Sequence, residues 1–262
     1  MIVDGNAIAK KIYSELTAVI AALPVQPRMA IVTCAPNFET TKYLELKRKK
    51  ASQVGIALTI IEIPASAQTE DFVASIDAVS KDVHGIVVQL PLPTHIDKNV
   101  VLSAIPADKD PDCLGDGVLL APVVGAVDEI SNCYNVVWEN KVVAIVGYGR
   151  LVGQPVNEYA KKRGAKVTVL TDESTDFSST LKEADIIVSG VGKPGLIEDT
   201  VVKPEVVLFD AGTSEDSGEL RGDITTQAAE KAALYTPVPG GIGPITVAIL
   251  LRNLVTLSQK HQ

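Results

Sequence analysis

From residue 29 onward, short apolar runs alternate with stretches in which apolar residues recur every three or four positions. Residues 29–33, 58–63 and 85–89 are rich in β-branched side chains, and helical patterns cover 40–53 and 71–79 between them. A strand buried on both faces reads as a continuous apolar run, so the alternation predicts parallel strands joined by helices, the α/β class. An irregular stretch of Pro, Asp and Gly, 106–117, interrupts the pattern. It then restarts with strand 142–146, a helix near 152–163, strand 166–170, a helix near 178–183, and strands 186–189 and 206–210. The interruption predicts two domains, one over 1–118 plus 244–262 and one over 119–243. The final helical run, 247–257, is expected to pack back on the first domain, because the second sheet already has its strands.

Two glycine-rich segments carry candidate binding chemistry. Strand 142–146 runs straight into Gly147, Tyr148, Gly149, Arg150, Leu151, Val152 and Gly153, which open a helix. Glycines in that position let the backbone approach a pyrophosphate lying over a helix N-terminus, although a plain tight turn has the same composition. Asp172 follows the next strand, where a carboxylate would accept the ribose hydroxyls of NAD and repel the extra phosphate of NADP. Capping a helix in the turn 172–175 is its alternative role. The second segment, 236–246, holds Pro237, Pro239, Gly240, Gly241, Gly243 and Pro244. Proline fixes φ and glycine permits positive φ, so this segment can hold a tight path with bare backbone facing a ligand. An ordinary strand-to-helix connection would need only two or three such residues.

Tyr43 and Lys47 lie four apart in a helical pattern and project from one face. The ring can stack on a planar ligand, and an ammonium beside it, once desolvated, has its pKa lowered toward a range useful for proton transfer. From these residues alone, a solvated basic face over 47–50 with Tyr43 as a partly buried anchor is the preferred reading. Gln89 ends strand 85–89 at the C-terminal edge of a parallel sheet, where ligand sites of α/β proteins form. The stretch 106–115 crowds acids, Asp112 among them, where the two domains are expected to meet; one carboxylate could bind an amino-bearing heterocycle, while capping or solvation would explain most of the others.

With 262 residues and 46% hydrophobic content the chain can bury a sizeable core, and with 4% aromatics that core must be aliphatic. A net charge of −8 excludes nucleic acid as the main partner. No apolar run reaches membrane-spanning length, the longest candidate, 118–127, being broken by Pro122 and Gly125. The N-terminus places Asp4 and Asn6 where a signal peptide would be apolar, and a cytoplasmic protein is expected. Cys34, Cys113 and Cys133 are odd in number and widely spaced, and His84, His95 and His261 have no ligand-spaced partners, so neither a disulfide framework nor a metal site is expected.

Taken in order, the opening at Val3, Asp4, Gly5 and Asn6, then Tyr43 to Lys47, Val88 to Pro93, Lys109 to Asp112, the glycine turn, and Pro239 to Thr246, resemble the bifunctional methylenetetrahydrofolate dehydrogenase/methenyltetrahydrofolate cyclohydrolase family over nearly the whole length. The resemblance implies a folate-binding catalytic domain and a Rossmann-type NAD(P)-binding domain. It implies that Tyr43 stacks on the pterin of a tetrahydrofolate substrate, Lys47 is the central catalytic group, Gln89 tunes it and Asp112 hydrogen-bonds the pterin. Pro239, Gly240, Gly241, Gly243 and Pro244 would line the folate pocket, while Gly147, Tyr148, Gly149, Arg150, Val152, Gly153 and Asp172 would hold the dinucleotide. Relatives are homodimers joined through the nucleotide domain, and the same is implied here.

The chain departs from the family pattern at four places. Tyr148 and Gly149 stand where an Arg-Ser pair is usual, and Asp172 stands where NADP-using members carry a small hydroxyl residue, so NAD is favoured over NADP. Residues 121–125 replace a Pro-Cys-Thr-Pro segment, and Cys113 replaces a glycine after Asp112. Alternatives are a cyclohydrolase with a decayed dehydrogenase site, a non-catalytic nucleotide-binding regulator on the same scaffold, and a two-domain NAD enzyme of the shikimate or amino-acid dehydrogenase sort.

Overall fold

The computed structural model describes residues 1–114, 119–216 and 219–261. Residues 115–118, which close the irregular stretch and carry the expected domain boundary, lie outside them. In chain order the elements are α1 (Gly5–Ala21), β1 (Arg28–Cys34), α2 (Phe38–Val54), β2 (Ala57–Ile63), α3 (Thr69–Ser80), β3 (Gly85–Val88), α4 (Lys98–Ser103), α5 (Pro122–Tyr134) and β4 (Val142–Val146). They continue with α6 (Gly153–Lys162), β5 (Lys166–Leu170), α7 (Phe177–Glu183), β6 (Ile186–Ser189), β7 (Val207–Asp210), β8 (Ser214–Asp216), β9 (Glu219–Arg221), α8 (Thr226–Lys231), β10 (Leu234–Tyr235) and α9 (Ile242–Ser258).

The chain divides into two compact units. One comprises 10–122 and 247–262 and contains the three-stranded parallel sheet β2-β1-β3. The central strand, β1, is buried at all but its first residue, which explains its unbroken apolar sequence. Asn37 starts α2 by accepting the Thr40 N–H on its side chain at 2.8 Å, and Gly55 ends it with φ +90°, a left-handed cap that suits glycine. A reciprocal capping box between Gln68 and Asp71 fixes the start of α3. Phe72 and Ile76 of α3, both fully buried, pack with Val32, Ile86, Val88, Val101 and Leu102. Burying each of the larger side chains contributes about 1.5–3 kcal/mol. The final helix joins this unit from Val247 on, as the sequence pattern predicts.

The other unit, 1–9 with 123–246, carries the five-stranded sheet β10-β7-β6-β4-β5, parallel throughout, and the antiparallel pair β8-β9. Its first nine residues were expected with the other domain. They fall here because Ile2 bridges to Tyr235, with Val3 N–H donating to the Tyr235 carbonyl and Tyr235 N–H to that of Met1, both at 2.9 Å. The start of the chain thereby extends the sheet beyond β10. Its core is aliphatic, with Ala144, Val146, Leu170, Ile187 and Leu208 at its centre, plus one aromatic group in which Trp138 meets Tyr159 edge-on and stacks on Phe209. Among the described residues no helix is long and apolar enough to cross a membrane.

Candidate active site

Helix α2 places Tyr43 and Lys47 one turn apart, and Lys47 is only 8% exposed. Its Nζ donates to Gln89 Oε1 at 2.9 Å. Gln89 is fixed at the end of β3 on two sides: its backbone N–H donates to the Val32 carbonyl at 2.8 Å, and its Nε2 donates to the Leu90 carbonyl at 2.9 Å. With the amide nitrogen committed to a carbonyl, the amide oxygen faces the lysine. Burial lowers the Lys47 pKa, and the negative charge of Asp112 opposes that shift. Burial raises the Asp112 pKa in turn, Lys47 pulls it down and Asp110 pushes it up. Desolvation dominates for both groups, which brings the charged and neutral forms of the pair closer in energy than either would be in water.

The segment bearing Asp112 is held from several directions. Asp110, 2% exposed, accepts the Asp112 N–H on Oδ1 at 3.1 Å. Lys109 Nζ donates to the carbonyls of Ser80 and Val83. On α9, Asn253 Nδ2 donates to the carbonyls of Pro111 and Leu120, both at 2.9 Å. Cys113 adopts φ +53°, the left-handed conformation that glycine enters freely and other residues reach at a cost of about 1–2 kcal/mol. Its thiol is pushed up to about 12, chiefly by burial.

In the five-stranded unit, β4 runs into Gly147, which has φ +88° and donates its N–H to the Leu170 carbonyl at 2.8 Å. A Cβ on Gly153 would overlap the Gly147 carbonyl oxygen, so the turn closes only with glycine there. Gly149 differs, since a Cβ on it would meet nothing within 4 Å. No side chain caps the first turn of α6; the Gln154 N–H donates to the Gly149 carbonyl at 3.0 Å, and Pro155 carries no N–H. Tyr148 and Leu151 are each 47% exposed beside this turn. Asp172 lies exposed just past β5, the strand next to β4. The next helix begins only at Phe177, so Asp172 caps no helix.

The Pro/Gly segment belongs to this same unit. Gly240 has φ +104°, its carbonyl accepts the Gly5 N–H at 2.9 Å, and the Gly241 N–H donates to the Pro237 carbonyl at 2.7 Å. A Cβ on Gly5 would overlap the Gly241 carbonyl, which ties the opening motif of the chain to this loop. Helix α9 already begins at Ile242, so Gly243 and Pro244 sit in its first turn; the loop proper is shorter than the sequence implies.

Both halves of the chain match family descriptions. Residues 3–112 match the tetrahydrofolate dehydrogenase/cyclohydrolase catalytic domain, and residues 122–262 match the NAD(P)-binding domain of the same proteins. The chain belongs to the tetrahydrofolate dehydrogenase/cyclohydrolase family. It is 34% identical to the bifunctional protein FolD of Chlamydia felis, over 99% of each chain. The methylenetetrahydrofolate dehydrogenase-cyclohydrolase of Trypanosoma brucei, solved with NADP and an inhibitor, superposes with a TM-score of 0.95 at 33% identity, covering 100% of this chain and 98% of that one. The bifunctional enzyme of Campylobacter jejuni gives 0.93 at 29% identity, covering 100% and 99%.

Within this tetrahydrofolate dehydrogenase/cyclohydrolase chain, the structure groups the predicted residues in two sets. Tyr43, Lys47, Gln89 and Asp112 share the three-stranded unit; the glycine turn, Asp172 and residues 239–244 share the five-stranded one. Cys113, which stands where the family pattern has a glycine, adopts a left-handed bend of the kind a glycine enters freely. Residues 121–125 enter α5, with Pro122 as its first residue, a position where proline's fixed φ fits and its missing N–H costs nothing. Sequence reasoning missed Asn253 and the role of Lys109, and it missed a buried pair of carboxylates, Asp210 and Asp223, at the end of the large sheet. Only the glycines near those two acids, Gly212 and Gly222, gave any signal.

Proposed function

We propose that the protein oxidises 5,10-methylenetetrahydrofolate to the methenyl form with NAD(P) and hydrolyses that product to 10-formyltetrahydrofolate. Membership of the family supports both activities, and the observation that carries the reading is the buried Lys47 Nζ held by Gln89 with Asp112 as its counter-charge. The four residues of the three-stranded unit take the roles the family resemblance assigns. Tyr43 stacks on the pterin, and Asp112 hydrogen-bonds its amino-bearing ring. Pro239, Gly240, Gly241, Gly243 and Pro244 line the folate pocket.

In the hydrolytic step Lys47, neutral for part of the cycle because burial disfavours its ammonium, takes a proton from the water that adds to the methenyl carbon. The same lysine returns that proton to N5 as the carbon–N5 bond breaks, while the hydroxyl on the carbon loses its proton to solvent and becomes the carbonyl of the formyl group left on N10. Gln89 Oε1 keeps the Nζ aimed through both transfers. For the oxidative step, the side-chain-poor turn closed by Gly153 against the Gly147 carbonyl at the start of α6 fits a pyrophosphate. A dinucleotide held there would supply the acceptor for the hydride of the one-carbon bridge.

Three finer statements belong to the same proposal. NAD is preferred over NADP, because Tyr148 and Gly149 offer no cation for a 2′-phosphate and the exposed carboxylate of Asp172 repels one. The protein is a cytoplasmic homodimer joined through its nucleotide domain, which sedimentation of the purified chain checks. Absorbance at the reduced-nicotinamide and methenyl bands, recorded with methylenetetrahydrofolate and each cofactor in turn, tests the function. Reduced nicotinamide must appear, and the methenyl band must decay enzymatically; failure of either removes that activity from the reading, and a clear advantage for NADP reverses the cofactor preference.

A further inference from the structure

We infer that Asp223 is a positioning residue for nucleotide binding, its buried carboxylate holding the backbone of residues 190–193 as a second wall beside the glycine turn. The inference rests on the proposal that this turn holds a dinucleotide. Strands β4 and β6 are neighbours, with Val146 opposite Ser189, so the chain leaves both at the same C-terminal edge of the sheet. The two segments then touch on both sides. A Cβ on Gly147 would come within 3.0 Å of Val191 Cγ2, and one on Gly190 within 2.5 Å of the Val152 side chain. Loop 190–193 therefore sets the width of the space above the turn.

What holds this loop is unusual for its exposure. Val191 is 45% exposed, and Gly192 and Lys193 are exposed too, yet the N–H groups of Val191 and Lys193 turn inward to a carboxylate with no exposure at all. Asp223 Oδ2 accepts from Val191 N–H at 2.9 Å and from the Ser189 hydroxyl at 2.6 Å, while Oδ1 accepts from Lys193 N–H at 2.7 Å. Gly192, between the two donors, has φ +74°, which lets both N–H groups point the same way.

Asp223 is itself held by its neighbour. Its N–H and that of Gly212 donate to Asp210 Oδ1, each at 3.1 Å, and Ile224 N–H donates to Asp210 Oδ2 at 3.0 Å. A Cβ on Gly212 would overlap the Asp223 carboxylate, and one on Gly222 would overlap that of Asp210, so both glycines make room for the acids. A buried carboxylate is costly to desolvate and is kept where it satisfies several donors at once. Here two of its three donors are the backbone of the loop beside the turn.

The carboxylate is specifically required, because an amide has one acceptor oxygen and would set an N–H against one of the loop donors. The expectation for Asp223→Asn is a nucleotide Kd about tenfold weaker, the scale of one unsatisfied buried donor, with cyclohydrolase turnover within twofold of wild type. Ile187→Val, which trims one methyl from the core of the same strand, serves as the control for lost stability and should leave Kd within twofold. Nucleotide binding by wild type, Asp223→Asn and Ile187→Val is measured by titration of the full chain with NAD and with NADP. Amide hydrogen exchange on the wild-type protein without nucleotide gives a readout that needs no variant to fold: Val191 and Lys193 should exchange slowly despite their exposure. Rapid exchange at both amides, an unchanged Kd in Asp223→Asn, or an equal loss in Kd and cyclohydrolase turnover would each overturn the inference. If the wild-type protein binds neither nucleotide, the dinucleotide reading fails and this inference fails with it, whereas a wild type that binds and an Asp223→Asn that binds equally well refute the inference alone.

Discussion

Replacing Lys47 by methionine removes the amine while keeping a long, flexible apolar chain in its place. The loss falls on chemistry rather than on folding. Lys47 is 8% exposed and burial already disfavours its charge, so the variant is relieved of a desolvation cost while giving up one hydrogen bond to Gln89 Oε1, worth about 1 kcal/mol. These terms oppose each other, and the melting temperature should stay within a few degrees of wild type, since 1 kcal/mol corresponds to about 2–4 °C in a chain of this size. Catalysis has no such offset. A positioned general base supplies about 10²–10⁴ in rate, or about 3–5 kcal/mol of barrier, and among the described residues no other amine is held by Gln89. Decay of the methenyl band under single-turnover conditions, with circular dichroism to confirm folding, reads the effect. A folded Lys47→Met that hydrolyses methenyltetrahydrofolate within tenfold of the wild-type rate would show that the lysine does not carry the proton.

Asp112→Asn removes the charge that holds the Lys47 pKa up, so the neutral amine forms at lower pH and the rising limb of the pH–rate profile for hydrolysis shifts toward acid; a limb that stays put or moves the other way separates the two groups electrostatically. The double variant Tyr148→Arg, Asp172→Ser adds a cation and removes a carboxylate at the expected 2′-phosphate position, and should raise kcat/KM for NADP relative to NAD by at least tenfold in the dehydrogenase assay. Burial pushes the Asp210 carboxyl up to about 7 despite three N–H donors, with Asp223 and Tyr235 as its titratable neighbours. A carboxyl with a raised folded-state pKa contributes stability that is present below its ordinary value near 3.8 and lost as pH rises through 7. The melting temperature should therefore decline between about pH 4 and 7 and level off above that, and Asp210→Asn should remove that slope while lowering stability at every pH.

The parts of the fold and site that could be read from the sequence are those in which a side chain declares its task by spacing. Tyr43 and Lys47 share a helix face because they are four apart, and Gln89 sits at a sheet edge because it ends an apolar run. The β4 turn shows itself because its glycines stand between a strand and a helix. Helix α1 buries Ala9, Ile12, Leu16 and Ile20 at helical spacing, a period the sequence carries without a preceding strand to frame it. Helix α5 was hidden by Pro122 and Gly125, which look like breakers until the proline is recognised as the first residue of the helix. Strand β10 has two residues, too few for any periodicity, and its pairing with the start of the chain spans more than two hundred positions.

The supports of the site were hidden for a different reason: they act on backbone. Asn253 grips the carbonyls of Pro111 and Leu120, Lys109 those of Ser80 and Val83, and Asp223 the N–H groups of Val191 and Lys193. A carbonyl or an N–H is present at nearly every residue, so the partner leaves no mark in the sequence and the gripping side chain looks like any exposed polar residue. Cys113 shows the same limit from the other side. A glycine requirement is a requirement on φ, and the cysteine meets it at +53° with Asp110 holding the residue before it. A departure from a family's residue pattern is therefore weak evidence for a change of shape where the surrounding hydrogen bonds persist. At Tyr148 and Asp172, both exposed, a departure changes what a ligand meets rather than the path of the chain, and the reversal of cofactor preference in Tyr148→Arg, Asp172→Ser is what tests its effect.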